Sequence, residues 1–345
     1  MRRWRKTCAF VVLAALTALG CRAAAQKVKV DPLYPVYKAE EGVSGMVKSV
    51  GSDTMNNLMA LWGEAFTRFY PNVKIEIEGK GSSTAPPALI SGAAVFGPMS
   101  RKMKSKEVDA FKKRFGYPPT AVRTAVDMLA VYVHKDNPIV KRGLSLPELD
   151  AIFSKMRKSG YHENITTWGQ LGLVGEWADK PISIYGRNSA SGTYGFFKKH
   201  VLFKGDYKDT VKEQPGSSSV VQAVASDRYA IGYSGIGYKT AGVAVVPLIP
   251  GPGAAPVPAD PSWVSRYPLS RFLRIYLNAE PGRSLDPLRR EFLKLVFSRQ
   301  GQEAVIKDGY LPVSPLIALR DLARVGVHLP LVKVKIPSPA GVKKD

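Results

Sequence analysis

Ile182-Ser183-Ile184-Tyr185 runs directly into Gly186-Arg187-Asn188-Ser189-Ala190-Ser191-Gly192-Thr193 and then Tyr194-Gly195-Phe196-Phe197-Lys198-Lys199. The pattern is that of a strand, a hydroxyl-rich turn and the start of a helix. Ligands of α/β sheets sit beyond the carboxyl ends of strands, so Arg187 and the residues after it occupy the expected place for a binding site. A helix N-terminus offers unpaired N–H groups and a partial positive charge, and an Arg adds a planar fork of donors matched to a tetrahedral oxyanion. Ser and Thr also cap helices for purely structural reasons, so this turn alone leaves both meanings open.

Three further junctions of the same kind precede it. The strand Val47 to Val50 passes through Gly51-Ser52-Asp53-Thr54-Met55 into an amphipathic helix carrying Leu58, Leu61, Trp62, Ala65 and Phe69. The alternating strand Val73 to Glu78 ends in Gly79-Lys80-Gly81-Ser82-Ser83-Thr84, whose glycines let backbone amides approach a ligand, before a short helix from Pro86 to Ser91. Phe96-Gly97-Pro98-Met99-Ser100-Arg101 closes an apolar run and opens the charged helix Ser105 to Phe115. Four such junctions are more than capping requires. The alternation of strand and helix that produces them predicts an α/β architecture with parallel strands.

At 345 residues the chain exceeds the size at which a single core stops growing, which implies two lobes. Arg2, Arg3, Arg5 and Lys6, then the apolar Ala9 to Leu19 and small residues, read as an export signal over residues 1–25. The apolar part is shorter than the roughly 20 residues a bilayer span wants. Cleavage falls either after Ala25 or before Cys21, where Ala18-Leu19-Gly20-Cys21 resembles a bacterial lipoprotein box without its usual first leucine. The expected location is therefore the periplasm or the outer face of the membrane, with a possible tether through Cys21. Both cysteines, Cys8 and Cys21, lie in this leader, so no disulfide or cysteine metal site is expected in the mature chain. His134, His162, His200 and His328 are far apart, and neither a metal nor a cofactor is expected. Without the five leader cations the formal charge of +22 falls to +17, a field that attracts anions. Export and the spread of Lys/Arg along solvated helices argue against nucleic acid as the partner.

Thr124 to His134 is a long apolar strand suited to crossing between lobes, interrupted by one acid, Asp127, which must find donors if buried. Leu146 to Phe153 reads as a helix capped by Ser145, Gly216-Ser217-Ser218-Ser219 opens a helix through Ala225, and Ala230 to Ser234 returns as a strand. Val243 to Ile249 is the expected second crossing, followed by a Pro/Gly/Ala loop over 250–261. Tyr267-Pro268-Leu269-Ser270-Arg271 leads a strand Phe272 to Leu277, and a helix from Asp286 to Ser298 completes the first lobe.

Taken in order, Val50-Gly51-Ser52, Gly79 to Thr84, Phe96 to Arg101, Val126-Asp127 with Asp136-Asn137-Pro138, Arg187 to Thr193, Ala230-Ile231-Gly232-Tyr233 and Tyr267 to Arg271 resemble the periplasmic phosphate-binding proteins of ABC-type uptake systems, over about residues 46 to 315. The resemblance implies a two-lobed Venus flytrap, each lobe a mixed sheet flanked by helices, joined by two crossing strands. It divides the chain into an N-terminal tether 26–45, a first lobe 46–130 and 244–315, a second lobe 131–243 and a C-terminal tail 316–345. It implies a monomer that captures inorganic phosphate and presents it to a membrane permease and its ATPase. Carried over by position, the phosphate ligands are Ser52, Asp53 and Thr54; Ser82, Ser83 and Thr84; and Arg187, Ser191, Gly192 and Thr193. One departure concerns the third loop, where some members place an Asp that accepts the proton of hydrogen phosphate and this chain has Met99-Ser100-Arg101. Sulfate and phosphate differ chiefly by that proton, so Asp127 is expected as the substitute acceptor, with Ser100 turned toward the ion.

Two alternatives remain open. One is a binder or sensor of the same fold for sulfate, molybdate or a phosphorylated compound. The other is a secreted phosphatase or serine hydrolase, against which stands the absence of a Gly-x-Ser-x-Gly triad pattern, of metal-ligand spacing and of a phosphate-gripping Walker loop.

Overall fold

The computed structural model describes residues 28–332; the export signal and Cys21 lie outside the described residues. β1 (Met46–Val50) buries Val47 and Val50 and pairs in parallel with β2 (Lys74–Glu78) across α1 (Asn56–Phe69). The buried stripe of α1 is Leu58, Met59, Trp62 and Phe66, the i, i+4 spacing of one helix face. Phe69, expected on that stripe, sits on its outer edge at 38% exposure, with Tyr37 edge-on to its ring at 4.9 Å.

After α2 (Ala85–Ser91), β3 (Gly97–Met99) and α3 (Ser105–Phe115), the chain enters β4 (Thr120–His134). Fifteen residues long, this strand belongs to both lobes. The second lobe then adds β5 (Leu144–Ser145), α4 (Leu146–Phe153), β6 (Ser183–Arg187), α5 (Gly192–His200), β7 (Lys212–Gln214), α6 (Ser217–Ser226), β8 (Ala230–Gly235), β9 (Val243–Val245) and β10 (Leu248–Ile249). Ser145 caps α4 by accepting from the Glu148 amide. Back in the first lobe lie β11 (Ser270–Leu277), α7 (Pro287–Val296), α8 (Arg299–Lys307), β12 (Leu311–Pro312) and α9 (Pro315–Ala323). Thr120 to Met128 of β4 pairs antiparallel with β11, and Leu129 to Val133 pairs antiparallel with β8, which is parallel to β6. The change of partner between Met128 and Leu129 is the first crossing.

The second crossing is not at Val243 to Ile249. That run is apolar because β9 pairs with Tyr132 to His134 and β10 with β5, both in the second lobe. Val246, Leu248, Val257, Tyr267 and Leu269 all belong to the second lobe's core, and the chain returns where Leu269 accepts from the Leu129 amide and Ser270 stands opposite Met128. The stretch 244–269 therefore belongs to the second lobe.

The chain ends depart from the expected tether and tail as well. Tyr34 is fully buried and donates its hydroxyl to the Val313 carbonyl at 3.0 Å, and the Tyr37 hydroxyl meets that of Tyr70 at 2.8 Å. Leu322, Val325, Val327 and Leu329 join the same first-lobe core, and Asp321 takes a two-pronged grip from Arg123 at 2.7 and 2.8 Å. These segments contribute aromatic and aliphatic side chains that the first lobe needs to complete its core, so within the described residues they are part of the domain.

Candidate functional site

Between the lobes the four junctions converge. In the first lobe a 3-10 turn over Asp53–Met55 follows Ser52, a second over Ser82–Thr84 follows Gly81, and Ser100 directly follows β3. The second lobe contributes the end of β6 with Arg187, the N-terminus of α5 with Ser191 to Thr193, and Ser217 at the start of α6. Thr54 Oγ1 and Thr193 Oγ1 meet at 2.9 Å, and the Ser83 amide donates to the Ala190 carbonyl at 3.1 Å. The Ser82 hydroxyl accepts from the Ser100 amide at 3.1 Å and lies 3.3 Å from the Ser100 hydroxyl. Ser52, Thr54, Ser82, Ser100, Arg187, Ser191 and Thr193 are all buried.

Two glycines are required by this approach. Gly81 holds φ +119°, outside the range other residues adopt readily, and a methyl there would stand 2.6 Å from the Ala190 carbonyl oxygen. Gly192 would place a methyl 2.3 Å from Ser82 Oγ and 2.5 Å from Ser100 Oγ. The lobes are thus in contact through groups too close to admit one carbon.

Arg187 dominates the electrostatics. Its Nη1 donates to Ser217 Oγ at 2.7 Å and stands 3.1 Å from Asp53 Oδ2, its Nη2 donates to the Pro215 carbonyl at 3.0 Å, and its Nε, buried, has no hydrogen-bond partner among the described residues. Burial pushes its pKa below the ordinary value, opposed by the Asp53 carboxylate. An unpaired donor in a dry site costs free energy until an acceptor arrives. Asp53 Oδ2 also accepts from the Ser217 amide at 2.8 Å, so one carboxylate of the first lobe grips two donors of the second.

Not every expected ligand turns inward. Thr84 donates its hydroxyl back to the Gly81 carbonyl at 2.9 Å, stiffening its own turn. Ser191 caps α5, accepting from the Thr193 and Tyr194 amides at 3.0 and 3.4 Å. Ser83 accepts from Arg101 Nη2 at 3.2 Å, and Arg101 in turn is held by both oxygens of Glu107 at 2.7 Å. Ser52, Asp53, Thr54, Ser82, Ser100, Arg187, Gly192 and Thr193 do come together around the lobe junction.

Asp127 is not a free acceptor. It is fully buried, with Oδ2 taken by Arg271 Nε at 2.8 Å and Nη2 at 2.7 Å, and Oδ1 taken by the Ile236 amide at 3.1 Å. The expected contact with an ion's proton is replaced by an ion pair, because a carboxylate placed in an apolar strand is stabilised by the nearest buried cation. Arg271, not among the expected ligands, belongs to the site. Its Nη2 reaches Thr193 Oγ1 at 2.9 Å and its Nη1 the Ser100 carbonyl at 3.0 Å, so it joins both lobes. The signal for it is the lone acid in the apolar run, which must find donors, together with an Arg at the start of a neighbouring strand.

The chain is similar to known proteins over most of its length. Residues 37–300 match the family model of the PBP superfamily domain. Over 320 residues it is 52% identical to the phosphate-binding protein PstS of Pseudomonas aeruginosa, spanning 92% of this chain and 98% of that one. It is 28% identical over 285 residues to the phosphate-binding protein PstS of Staphylococcus haemolyticus, 81% of this chain and 84% of that one. Among solved structures, a Clostridium perfringens protein assigned as a phosphate ABC transporter substrate-binding protein, with bound phosphate, superposes with a TM-score of 0.65 at 28% identity, covering 78% of this chain and all of that one.

Proposed function

This chain belongs to the PBP superfamily and, within it, to the PstS phosphate-binding proteins, and we propose that it captures inorganic phosphate between its lobes and delivers it to an ABC-type permease. The observation that carries the reading is Arg187, buried with Nε unpaired, set among hydroxyls supplied by both lobes. Desolvating a multiply charged oxyanion is costly, and a dry site offsets that cost with many short, fixed donors. Arg187, the hydroxyls of Ser52, Thr54, Ser82, Ser100 and Thr193, and the amide of Gly192 are such a set. Arg271 sits behind Thr193 and Ser100 and holds them in place.

Arg187 and Arg271 are matched in number by Asp53 and Asp127, so the bound ion is held by directed donors rather than by surplus positive charge. Asp53 is the acceptor for the proton of hydrogen phosphate, since both oxygens of Asp127 are engaged. Both halves of the donor set reach an ion only when the lobes are together, so binding favours the closed arrangement, which the permease and its ATPase then recognise. No step is covalent, and the protein is a binding protein rather than an enzyme. The basic and apolar leader supports export to the periplasm, with Cys21 as the point of a lipid tether.

Calorimetric titration of the mature, anion-stripped protein tests this, with phosphate, sulfate and an Arg187→Ala control. Phosphate binding that the control abolishes, with no sulfate heat, is expected. Heat with sulfate but not phosphate would instead identify a binder of another oxyanion.

A further inference from the structure

Beside the ion cradle, two adjoining cavities form a groove that runs across both lobes and share Arg101, Lys104, Gly195 and Lys199 in their walls. Eight Lys or Arg side chains and His200 line it, and no Asp or Glu does. Three of these cations are neutralised from behind, Arg101 by Glu107, Arg271 by Asp127 and Lys198 by Asp206. Among the described residues, Lys102, Lys104, Lys199 and Lys204 have no carboxylate within 4.0 Å. The positive field is felt by His200, whose imidazole is pushed down by partial burial and then by the Lys199 and Arg271 charges.

Helix electrostatics explains only half of this arrangement. Lys198, Lys199 and His200 end α5, where the dipole favours cations. Lys102 and Lys104 stand instead at the N-terminus of α3, where it disfavours them, yet they line the same groove. Closing the lobes brings these like charges together, a cost that a bound polyanion removes.

We propose that this groove is a second anion site, adjoining the cradle at Ser100 and Arg271, that takes a linear condensed phosphate, a chain of successive oxyanions long enough to touch both lobes. Little flat aromatic surface is left for base stacking: Arg271 lies over Phe196 at 5.2 Å, Arg123 and Arg274 lie over Phe272 at 5.3 and 5.7 Å, and Tyr194 packs on Tyr207 at 4.5 Å. The groove is also concave, which suits a flexible chain better than a flat membrane, although Phe203 is 48% exposed beside Lys204.

The test uses the mature protein saturated with orthophosphate, so that the cradle is filled, titrated with a polyphosphate of about ten to fifteen residues at two salt concentrations. Wild type is expected to bind it with an affinity that falls steeply with salt. A Lys104→Glu/Lys199→Glu variant is expected to lose at least tenfold in polyphosphate affinity while its orthophosphate affinity stays within twofold and its melting temperature is unchanged. Polyphosphate binding that orthophosphate abolishes would place it in the cradle and overturn the proposal. Unchanged binding by the double variant would overturn it too. So would binding to vesicles containing phosphatidylglycerol, lost in the double variant, without any binding of polyphosphate; the partner would then be a membrane surface.

Discussion

Arg271 and Asp127 stand directly opposite each other in the antiparallel pairing of β11 with β4, Nη2 to Oδ2 at 2.7 Å, immediately beside the two points where the chain crosses between lobes. The pair is wholly buried, and through it Arg271 reaches Thr193 of the second lobe and Ser100 of the first. It ties the crossing strands to the ion cradle.

Removing one partner strands the other charge in a dry site. Asp127→Asn is therefore expected to destabilise the protein by about 3–5 kcal/mol, measured by urea unfolding. Phosphate binding should weaken while its preference over sulfate survives. A collapse of that preference with stability intact would show that Asp127 meets the ion itself.

Asp53 carries the complementary expectation. An amide at this position can donate to sulfate as well as to phosphate, so Asp53→Asn should narrow the phosphate-to-sulfate affinity ratio at least tenfold. Paired titrations of the two ions read the ratio directly, and an unchanged ratio would remove Asp53 from the role of proton acceptor.

Gly192→Ala tests whether closure is needed for binding. The three atoms nearest the added methyl all belong to Ser82 and Ser100 of the opposite lobe, at 2.3 to 2.9 Å. The unliganded variant should melt within a degree or two of wild type, yet bind phosphate at least tenfold more weakly. Small-angle scattering with phosphate present should find it more extended than wild type.

Asp308 sets a pH dependence. Burial pushes its carboxyl from 3.8 up to about 6, with the Asn57 amide opposing and the Asp127 charge adding to the shift. The unfolded chain releases this proton first, so the contribution is fully present below 3.8 and is lost as pH rises through about 6. Asp308→Asn should flatten that part of the stability profile and raise the melting temperature at pH 7 by about 2–4 °C. Thermal melts across pH 4 to 8 check both.

Much of this protein is determined locally. The strand, turn and helix at Val47 to Phe69, at Val73 to Ser91 and at Ser183 to His200 follow from periodicity and capping, and the hydroxyls they deliver are where those junctions place them. The long strand through Asp127 announced both the crossing and the need for buried donors. Which hydroxyls face inward could not be read the same way: Ser82 meets Ser100 while Thr84, two residues on, folds back on Gly81. Nor could the partner of Asp127, 144 residues away in the chain, or the return crossing at Leu269-Ser270, which an apolar run at Val243 to Ile249 imitates. Propensity and pattern act over a few residues, whereas these outcomes depend on the register of strands joined late by long loops. That register is decided only when the two cores pack.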